Sequence, residues 1–316
     1  MRFSTLDRAQ KIAGDSDADA LRRVPTHAAR AEALGFQRFF VAEHHGVPGI
    51  PGSQPAMLAL AVADATSSIR VGTAGIMLPN HPPLIAAEQV AVLTALHPGR
   101  IDIGVGNSVG FTQPVRDALR QGDPTELKDR FEDDLREFLA YLDGSAEVTA
   151  RPAAGSVEIF VLAGFRSISL AARLGLGVIV GGPSLLVRAE HEGLAGYRRQ
   201  NPSGRSIISL DVAVADTEEA ARDLLLPQHV AGVLARRTGA FEALPLIGEL
   251  PELTARERAR VADSLATSVY GTPAQVRAQL EEITRFAGTD EVLITGGMSD
   301  LDGQARSEEL LAEMAS

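Results

Sequence analysis

Short runs of β-branched residues alternate with alanine- and leucine-rich stretches along the whole chain, and this alternation constrains the fold more than any single motif. Eight of these runs predict strands, and nearly every one precedes a stretch with helical periodicity. Eight βα units in one chain of 316 residues favour a closed barrel over a doubly wound sheet. The predicted strands are Phe3–Leu6, Phe39–Ala42, Ile69–Leu78, Ile101–Val105, Glu158–Leu162, Val178–Val180, Ile207–Ala215 and Glu291–Ile294.

We therefore predict an α/β fold, a (β/α)8 TIM barrel, that forms a single domain over residues 1–316. Leu226–Val269 has an irregular helical pattern and is predicted to be an insertion before the last strand. Among the connections, Asn107–Asp123 is predicted as a loop, Pro124–Leu142 as one strong helix and Leu185–Arg199 as a further helix.

The composition excludes several classes of function. The chain has no Cys, which excludes disulfides, thiolate zinc sites and a cysteine nucleophile. Its formal net charge of −11 argues against nucleic acid and anionic membranes as partners, because an acidic surface gains nothing from counterion release. We see no signal peptide and no apolar run of membrane-spanning length, so we expect a cytoplasmic protein that acts on a small molecule.

Glu43, His44 and His45 follow the second predicted strand. In a barrel of this type, function lies at the carboxyl-terminal ends of the strands, and histidine is the usual acid or base near neutral pH. Consecutive residues at a strand end cannot all face one way, so at most two of the three reach the pocket. We expect no metal here, since the three residues are contiguous and no second set of ligands is spaced to match them.

Two further strand segments are rich in small residues. Val71–Leu78 contains Ala74 and Gly75 at its centre, which indicates either a bulge that approaches a ligand or simple crowding in the barrel. Gly104–Gly110 follows the fourth predicted strand and has the spacing GxGxxxG, which is not the dinucleotide-binding GxGxxG pattern. Its loop, with Asn107 and Ser108, could expose amides to a phosphate or to a flavin ring.

The segment 163–167 (AGFRS) joins the fifth predicted strand to a helix. Free amides at the helix start, together with the Ser167 hydroxyl and the Arg166 guanidinium, suit a phosphate. An ordinary Ser167 N-cap explains the same residues without a ligand. Arg130, on the helix predicted before this segment, could reach the same anion or could lie in solvent.

Four stretches of the sequence together resemble one family, the bacterial-luciferase-like flavin monooxygenases. They occur in the order AEALGFQRFFVAEHH (Ala31–His45), IRVGTAGIMLPNHPPLIAAEQVAVLTALHPGRIDIGVG (Ile69–Gly106), SISLAARLGLG (Ser167–Gly177) and YGTPAQV (Tyr270–Val276). The resemblance implies a TIM barrel that binds reduced FMN at its carboxyl-terminal mouth. It further implies that oxygen adds to the flavin as a C4a-hydroperoxide, which oxidises an aldehyde, a ketone or a natural-product intermediate.

The resemblance also implies roles for particular residues. His44 and Glu43 would be catalytic, with His44 as the base, and Ala74-Gly75 would be the strand bulge, often a non-prolyl cis peptide, that supports the isoalloxazine ring. The residues that we predict to bind the cofactor are Ala74, Gly75, Asn107, Ser108, Arg130, Ala163, Gly164, Arg166 and Ser167.

The family likeness further implies a flavin reductase that supplies reduced FMN, and a homodimer. The sequence departs from the family where Asn107 replaces an expected Arg and where Gly182 stands in the place of a luciferase Trp. Weaker flavin contacts leave two alternatives open. One is an oxidoreductase on the same barrel that uses cofactor F420, and the other is a non-catalytic partner subunit.

Overall fold

The computed structural model describes residues 1–182 and 189–315, apart from the side chains of residues 165–166 and 189–191. Within these residues the strands are β1 (Arg2–Asp7), β2 (Arg38–Val41), β3 (Arg70–Met77), β4 (Ile101–Gly106), β5 (Glu158–Ala163), β6 (Gly177–Gly181), β7 (Ser206–Val214), β8 (Val269–Gly271) and β9 (Glu291–Thr295). Parallel pairing runs from β1 through β7 to β9 and back to β1, while β8 stays outside this ring. The predicted eight-stranded barrel is confirmed, with one extra strand.

Helices connect the strands and pack around the ring. They are α1 (Asp17–Ala33), α2 (Pro55–Ala65), α3 (Pro83–Leu96), α4 (Gln113–Ala118), α5 (Pro124–Asp129), α6 (Phe131–Asp143), α7 (Phe165–Arg173), α8 (Ala189–Gln200), α9 (Glu218–Thr238), α10 (Ala255–Leu265), α11 (Pro273–Ala287) and α12 (Leu301–Ala315). None of the helices that the structure describes combines the length and the apolar character needed to cross a membrane.

The segment before the last strand is more regular than its sequence suggests. Helix α9 continues through Pro227 to Thr238, because its buried face, which includes Leu225 and Val230, packs in an apolar cluster that offsets the proline. Helix α10 follows, and β8 then pairs with the last three residues of β7. A strand of three residues is too short to show an alternating pattern, so the sequence did not reveal it.

The prediction of one helix over Pro124–Leu142 is wrong. Two helices form instead, because the chain is interrupted at Arg130, which is the C-cap residue of α5 and the N-cap residue of α6 and has ψ near −9°. Helix α6 buries apolar side chains, among them Phe131 and Phe138, whereas α5 buries none. Tertiary packing therefore stabilises α6 but gives no support to one continuous helix through α5. The predicted loop Asn107–Asp123 also contains the short helix α4. The predicted helix Leu185–Arg199 lies partly outside the described residues, and its described part is helical from Ala189.

Inward-pointing side chains fill the barrel in layers. An apolar layer at mid-height consists of Phe40, Ala74, Phe160, Ile179, Ile207 and Leu293, with Leu6 and Leu162 packed against it. The amino-terminal end of the ring has a different filling, which is charged.

Arg38, the first residue of β2, is only 2% exposed and lies at the centre of this charged end. Its guanidinium donates to Asp102 of β4 at 2.8 Å and to Glu291 of β9 at 2.6 Å, and it lies 3.6 Å from Glu158 of β5. Arg70 of β3 donates to the same Asp102 at 2.7 Å. Opposite charges around the buried Arg38 thus connect five strands at the amino-terminal end of the barrel.

Replacing Arg38 with Met should lower the free energy of unfolding by about 3–5 kcal/mol, because Glu291 and Asp102 would lose a buried counterion. Urea unfolding followed by circular dichroism measures this loss. Arg22→Met is the matched control: its side chain is 77% exposed and its pair with Asp19 lies on the surface, so we expect a change within about 0.5 kcal/mol. Equal losses in both variants would contradict a special role for Arg38.

Candidate active site

Alternation along β2 decides which member of the Glu43-His44-His45 cluster reaches the barrel mouth. Arg38 and Phe40 point into the barrel, as described above. His44 has the same parity and lines a cavity of 720 Å³ at the carboxyl-terminal end. Glu43 and His45 have the opposite parity and bind each other at 2.8 Å. Of the three side chains, only His44 lines this cavity.

The imidazole of His44 has an unpaired nitrogen. Its Nδ1 is buried and has no hydrogen-bond partner among the described residues. Burial, together with the positive charge of Arg8, lowers the pKa of His44 to about 4. The ring is therefore neutral at pH 7, and it can exchange a proton or a hydrogen bond with a molecule bound beside it.

The carboxylate of Glu43 accepts four hydrogen bonds. The donors are the backbone amide of Met77 at 2.9 Å, the Asn80 side chain at 2.5 Å, His45 at 2.8 Å and His81 at 3.1 Å. Burial alone would raise the pKa of Glu43, but the bonds from His45 and His81 lower it to about 2. Because an ionised carboxylate only accepts, both imidazoles must donate to it through Nε2. This network connects the end of β2 to the segment after β3.

Glu43, His45 and His81 also offer three possible metal ligands, whose ligand atoms all lie within 4.8 Å of one another. The sequence expectation of no metal considered only the contiguous cluster and missed His81. The parallel pairing of β2 with β3 brings His81 there, because it follows β3 by four residues. A histidine just beyond the neighbouring strand was the available signal. In the structure the hydrogen bonds to Glu43 hold these side chains together.

Strand β3 contains the expected irregularity. Its pairing with β4 shifts register between Ala74 and Ile76, and the Ala74–Gly75 peptide is cis. A Cβ on Gly75 would lie 2.5 Å from the carbonyl oxygen of Gly104, so a side chain there would require the strands to move apart. Close packing of β3 against β4 therefore accounts for Gly75, and the bulge is present at the same place, so the strand shows both the crowding and the irregularity that the sequence indicated.

Ser167 is not the N-cap of α7, so that alternative interpretation of the segment 163–167 is wrong. The helix begins at Phe165 with Gly164 as its N-cap residue, so Ser167 is the third helical residue. Among the described side chains none caps the helix, and a Cβ on Gly164 would meet open space. Ala163, the last residue of β5, is buried. The first amides of α7 are thus left without a side-chain cap, while the Arg166 side chain lies outside the described residues.

The other predicted cofactor residues differ in how far they are already engaged. Asn107 and Ser108 follow β4, and within the part of the chain that the structure describes neither side chain has a hydrogen-bond partner. Arg130 has a partner, since it donates to Asp134 at 3.2 Å, and its side chain is 67% exposed. Asn107 and Ser108 are therefore available to a ligand, whereas Arg130 would first have to leave Asp134.

Known proteins match this chain over most of its length. The model of the luciferase-like monooxygenase family matches residues 1–291. A luciferase-like monooxygenase of Escherichia coli (strain K12) is 30% identical over 326 residues, which cover 99% of this chain and 96% of the relative. The N-acetyl-S-alkylcysteine monooxygenase of Bacillus subtilis (strain 168) is 30% identical over 319 residues, which cover 92% of this chain and 90% of the relative.

Solved structures share the barrel. Apo-MsnO8 has a TM-score of 0.86 and 29% identity, covering 99% of this chain and 98% of its own. Two further structures have only 16% sequence identity to this chain and so show the fold alone; each match covers 99% of this chain and 97% of the other. They are the oxygenating constituent of 3,6-diketocamphane monooxygenase from Pseudomonas putida with FMN (TM-score 0.74) and an F420-dependent secondary alcohol dehydrogenase (TM-score 0.71). Because the family match spans nearly the whole barrel, this chain belongs to the luciferase-like monooxygenase family, a family of oxidoreductases.

Proposed function

We propose that this protein is a two-component monooxygenase that uses reduced FMN and oxygen to oxidise a small organic substrate. The observation that carries the proposal is His44, which is neutral, lines the cavity at the barrel mouth and has a buried, unpaired Nδ1. A buried polar atom without a partner costs about 1–3 kcal/mol, and a bound ligand that bonds to it removes that cost. Membership of the luciferase-like monooxygenase family supports the same function.

The predicted cofactor residues suit FMN. The uncapped amides at the start of α7 and the unpartnered Asn107 are polar groups that a cofactor could satisfy. Reduced flavin, when bound, supplies the electrons for oxygen chemistry that no amino-acid side chain provides. In this proposal Ala74 and Gly75 support the ring and Asn107 and Ser108 bond to it. The phosphate is held by Ala163, Gly164, Arg166, Ser167 and Arg130.

His44 and Glu43 have different roles in this proposal. His44 takes or gives a proton at the barrel mouth, and the apolar side chains of Val47 and Ile50 in the same cavity help to exclude water. Glu43 does not line the cavity, so we propose that it is a positioning residue. Its hydrogen bond to His45 holds the end of β2, and with it the backbone that carries His44.

A reaction that consumes oxygen separates this proposal from a dehydrogenase that uses cofactor F420. A flavin reductase as the electron donor, a homodimer and a cytoplasmic location belong to the same proposal. The test substrates are decanal as an aldehyde and cyclohexanone as a ketone. N-acetyl-S-methylcysteine is the third, because one 30%-identical relative is an N-acetyl-S-alkylcysteine monooxygenase.

We expect turnover with reduced FMN, a flavin reductase and ¹⁸O₂ to give a product that carries one ¹⁸O atom, measured by mass spectrometry. In His44→Ala, turnover should fall by about 10²- to 10⁴-fold because a proton-transferring group is lost. The dissociation constant for reduced FMN, measured anaerobically by calorimetry, should stay within about twofold of the wild type.

The matched control is His97→Ala, which removes a histidine at the end of α3, just before β4 begins and so at the opposite end of the barrel from the mouth, and should leave turnover unchanged. Anaerobic reduction of cyclohexanone by reduced F420, with no ¹⁸O in any product, would overturn the monooxygenase proposal. Full turnover in His44→Ala would remove His44 from the mechanism.

The pKa of His44 should be about 4 in the cofactor-free protein, measured by NMR from the pH titration of its ring resonance. Burial disfavours the charged ring, and the charge of Arg8 disfavours it further, so Arg8→Gln should raise this pKa while leaving it below the ordinary 6.5. His44→Ala identifies the resonance. A wild-type pKa of 6.5 or higher would contradict the buried, unpaired ring.

Glu43→Gln should lower the free energy of unfolding by about 1–3 kcal/mol, because an amide group would face donors that need an acceptor. As a positioning change, it should also reduce kcat while the affinity for reduced FMN stays unchanged. Glu88→Gln is the control, since Glu88 lies half-buried on α3 without a partner in the described chain. Equal effects of both substitutions would show that the Glu43 network has no special role.

A further inference from the structure

The cavity that His44 lines lies between the loop after β2 and the helices α9 and α10. Its volume of 720 Å³ is within the range that encloses a small organic molecule. Much of its wall is apolar and comes from Val47, Ile50, Phe111, Val233 and Phe241. None of the predicted cofactor-binding residues whose side chains the structure describes lines it, so the cavity extends the mouth away from the predicted flavin region.

Three arginines that line this cavity form no ion pair among the described residues. Arg8, Arg236 and Arg260 form no hydrogen bond or ion pair through their side chains in the portion of the chain that is described. Arg237, the neighbour of Arg236, does not line the cavity and pairs with Glu257 at 3.0 Å. The arginines that face the cavity are thus the ones left free to bind an anion.

Two carboxylates also line the cavity, but neither forms an ion pair with these arginines among the described residues. Both oxygens of Asp211 are engaged, because Oδ1 accepts from Thr295 at 2.6 Å and Oδ2 accepts from Gln228 at 2.9 Å. Asp263 is exposed and pairs with no arginine among the described residues. Three guanidinium groups against the two carboxylates of Asp211 and Asp263 leave an excess of one positive charge beside an apolar wall.

Arg236 and Arg260 lie on facing helices near the same end. His229 of α9 bonds to Ser264 of α10 at 2.8 Å, and the Arg237–Glu257 ion pair joins the two helices at their other contact. The helices therefore run antiparallel, with Arg236 next to Arg237 and Arg260 about one turn from Glu257. Arg236 is exposed and marks the rim, whereas the buried Nδ1 of His44 marks the inner end. The cavity therefore has a cationic rim, an apolar wall and a neutral base.

We propose that this cavity binds an organic acid, whose carboxylate pairs with Arg236 and Arg260 at the rim and whose apolar chain extends toward His44. A planar guanidinium matches a carboxylate with two parallel hydrogen bonds, and the apolar wall favours a hydrocarbon chain. This inference rests on the proposed monooxygenase function for the reaction that follows, but the binding step needs no cofactor and is measured without one.

Octanoate and octanamide are the probes, because they have the same chain and differ in the charge of the head group. Calorimetry on the cofactor-free protein should show octanoate binding at least about tenfold more tightly than octanamide, the size expected for a charged hydrogen bond. In the double variant R236Q/R260Q this preference should fall to within about twofold, while the affinity for octanamide stays unchanged.

The control is the double variant R222Q/R256Q, which removes the same charge from the same two helices at positions that do not line the cavity, since Arg222 pairs with Glu219 and Asp223 of its own helix. It should keep the full preference for octanoate. Equal binding of the two probes to the wild type, or loss of the preference in the control variant as well, would overturn the proposal. So would a preference that survives R236Q/R260Q and disappears in Arg8→Gln, because it would move the carboxylate to the inner end.

Two results separate this inference from the proposed function. A preference for octanoate that depends on Arg236 and Arg260, in a protein that gives no ¹⁸O-labelled product, would support the acid site and reject only the monooxygenase. Weaker binding of FMN or F420 in R236Q/R260Q, with octanoate binding unchanged, would overturn the acid site and assign the arginines to a cofactor.

Discussion

The buried guanidinium of Arg38 is the interaction on which the barrel most depends. It holds carboxylates from three other strands at the amino-terminal end of the ring, and Arg70 adds a fifth strand through Asp102. Charges this deep are stable only when they are paired, so the strands cannot separate there without exposing or isolating them. At the opposite end of the ring, the loops that form the mouth carry the functional side chains.

Glu43 and His44 are adjacent, yet they have opposite surroundings. Both pKa values lie below their ordinary range, but Glu43 is ionised because four donors surround it, whereas His44 is neutral because burial and the nearby charge of Arg8 disfavour the charged ring. Alternation along β2 places one side chain under the loop and the other in the cavity. The same strand thus supplies a fixed charge that orders the backbone and an uncharged ring at the mouth.

The strands of the barrel could be predicted from the sequence almost completely. All eight predicted strands are present, each within one residue at either end, because short apolar runs between helices leave few alternatives. What escaped prediction depends on residues far apart in the chain. Arg38 meets Glu291 across 253 positions, and His81 joins Glu43 only because β3 lies beside β2. The parity of His44 was inferable, but its unpaired nitrogen and the free arginines of the cavity required the folded packing.

The pairing of β8 with the end of β7 has a consequence for how such a protein can change. The segment between β7 and β9 supplies α9 and α10, and with them one side of the cavity, but β8 contributes none of the eight strands of the closed ring. Substitutions on the cavity face of those two helices can therefore accumulate without altering strand pairing. Ligand preference and barrel stability are thereby placed on separate parts of the chain, so that selection can act on one while leaving the other intact.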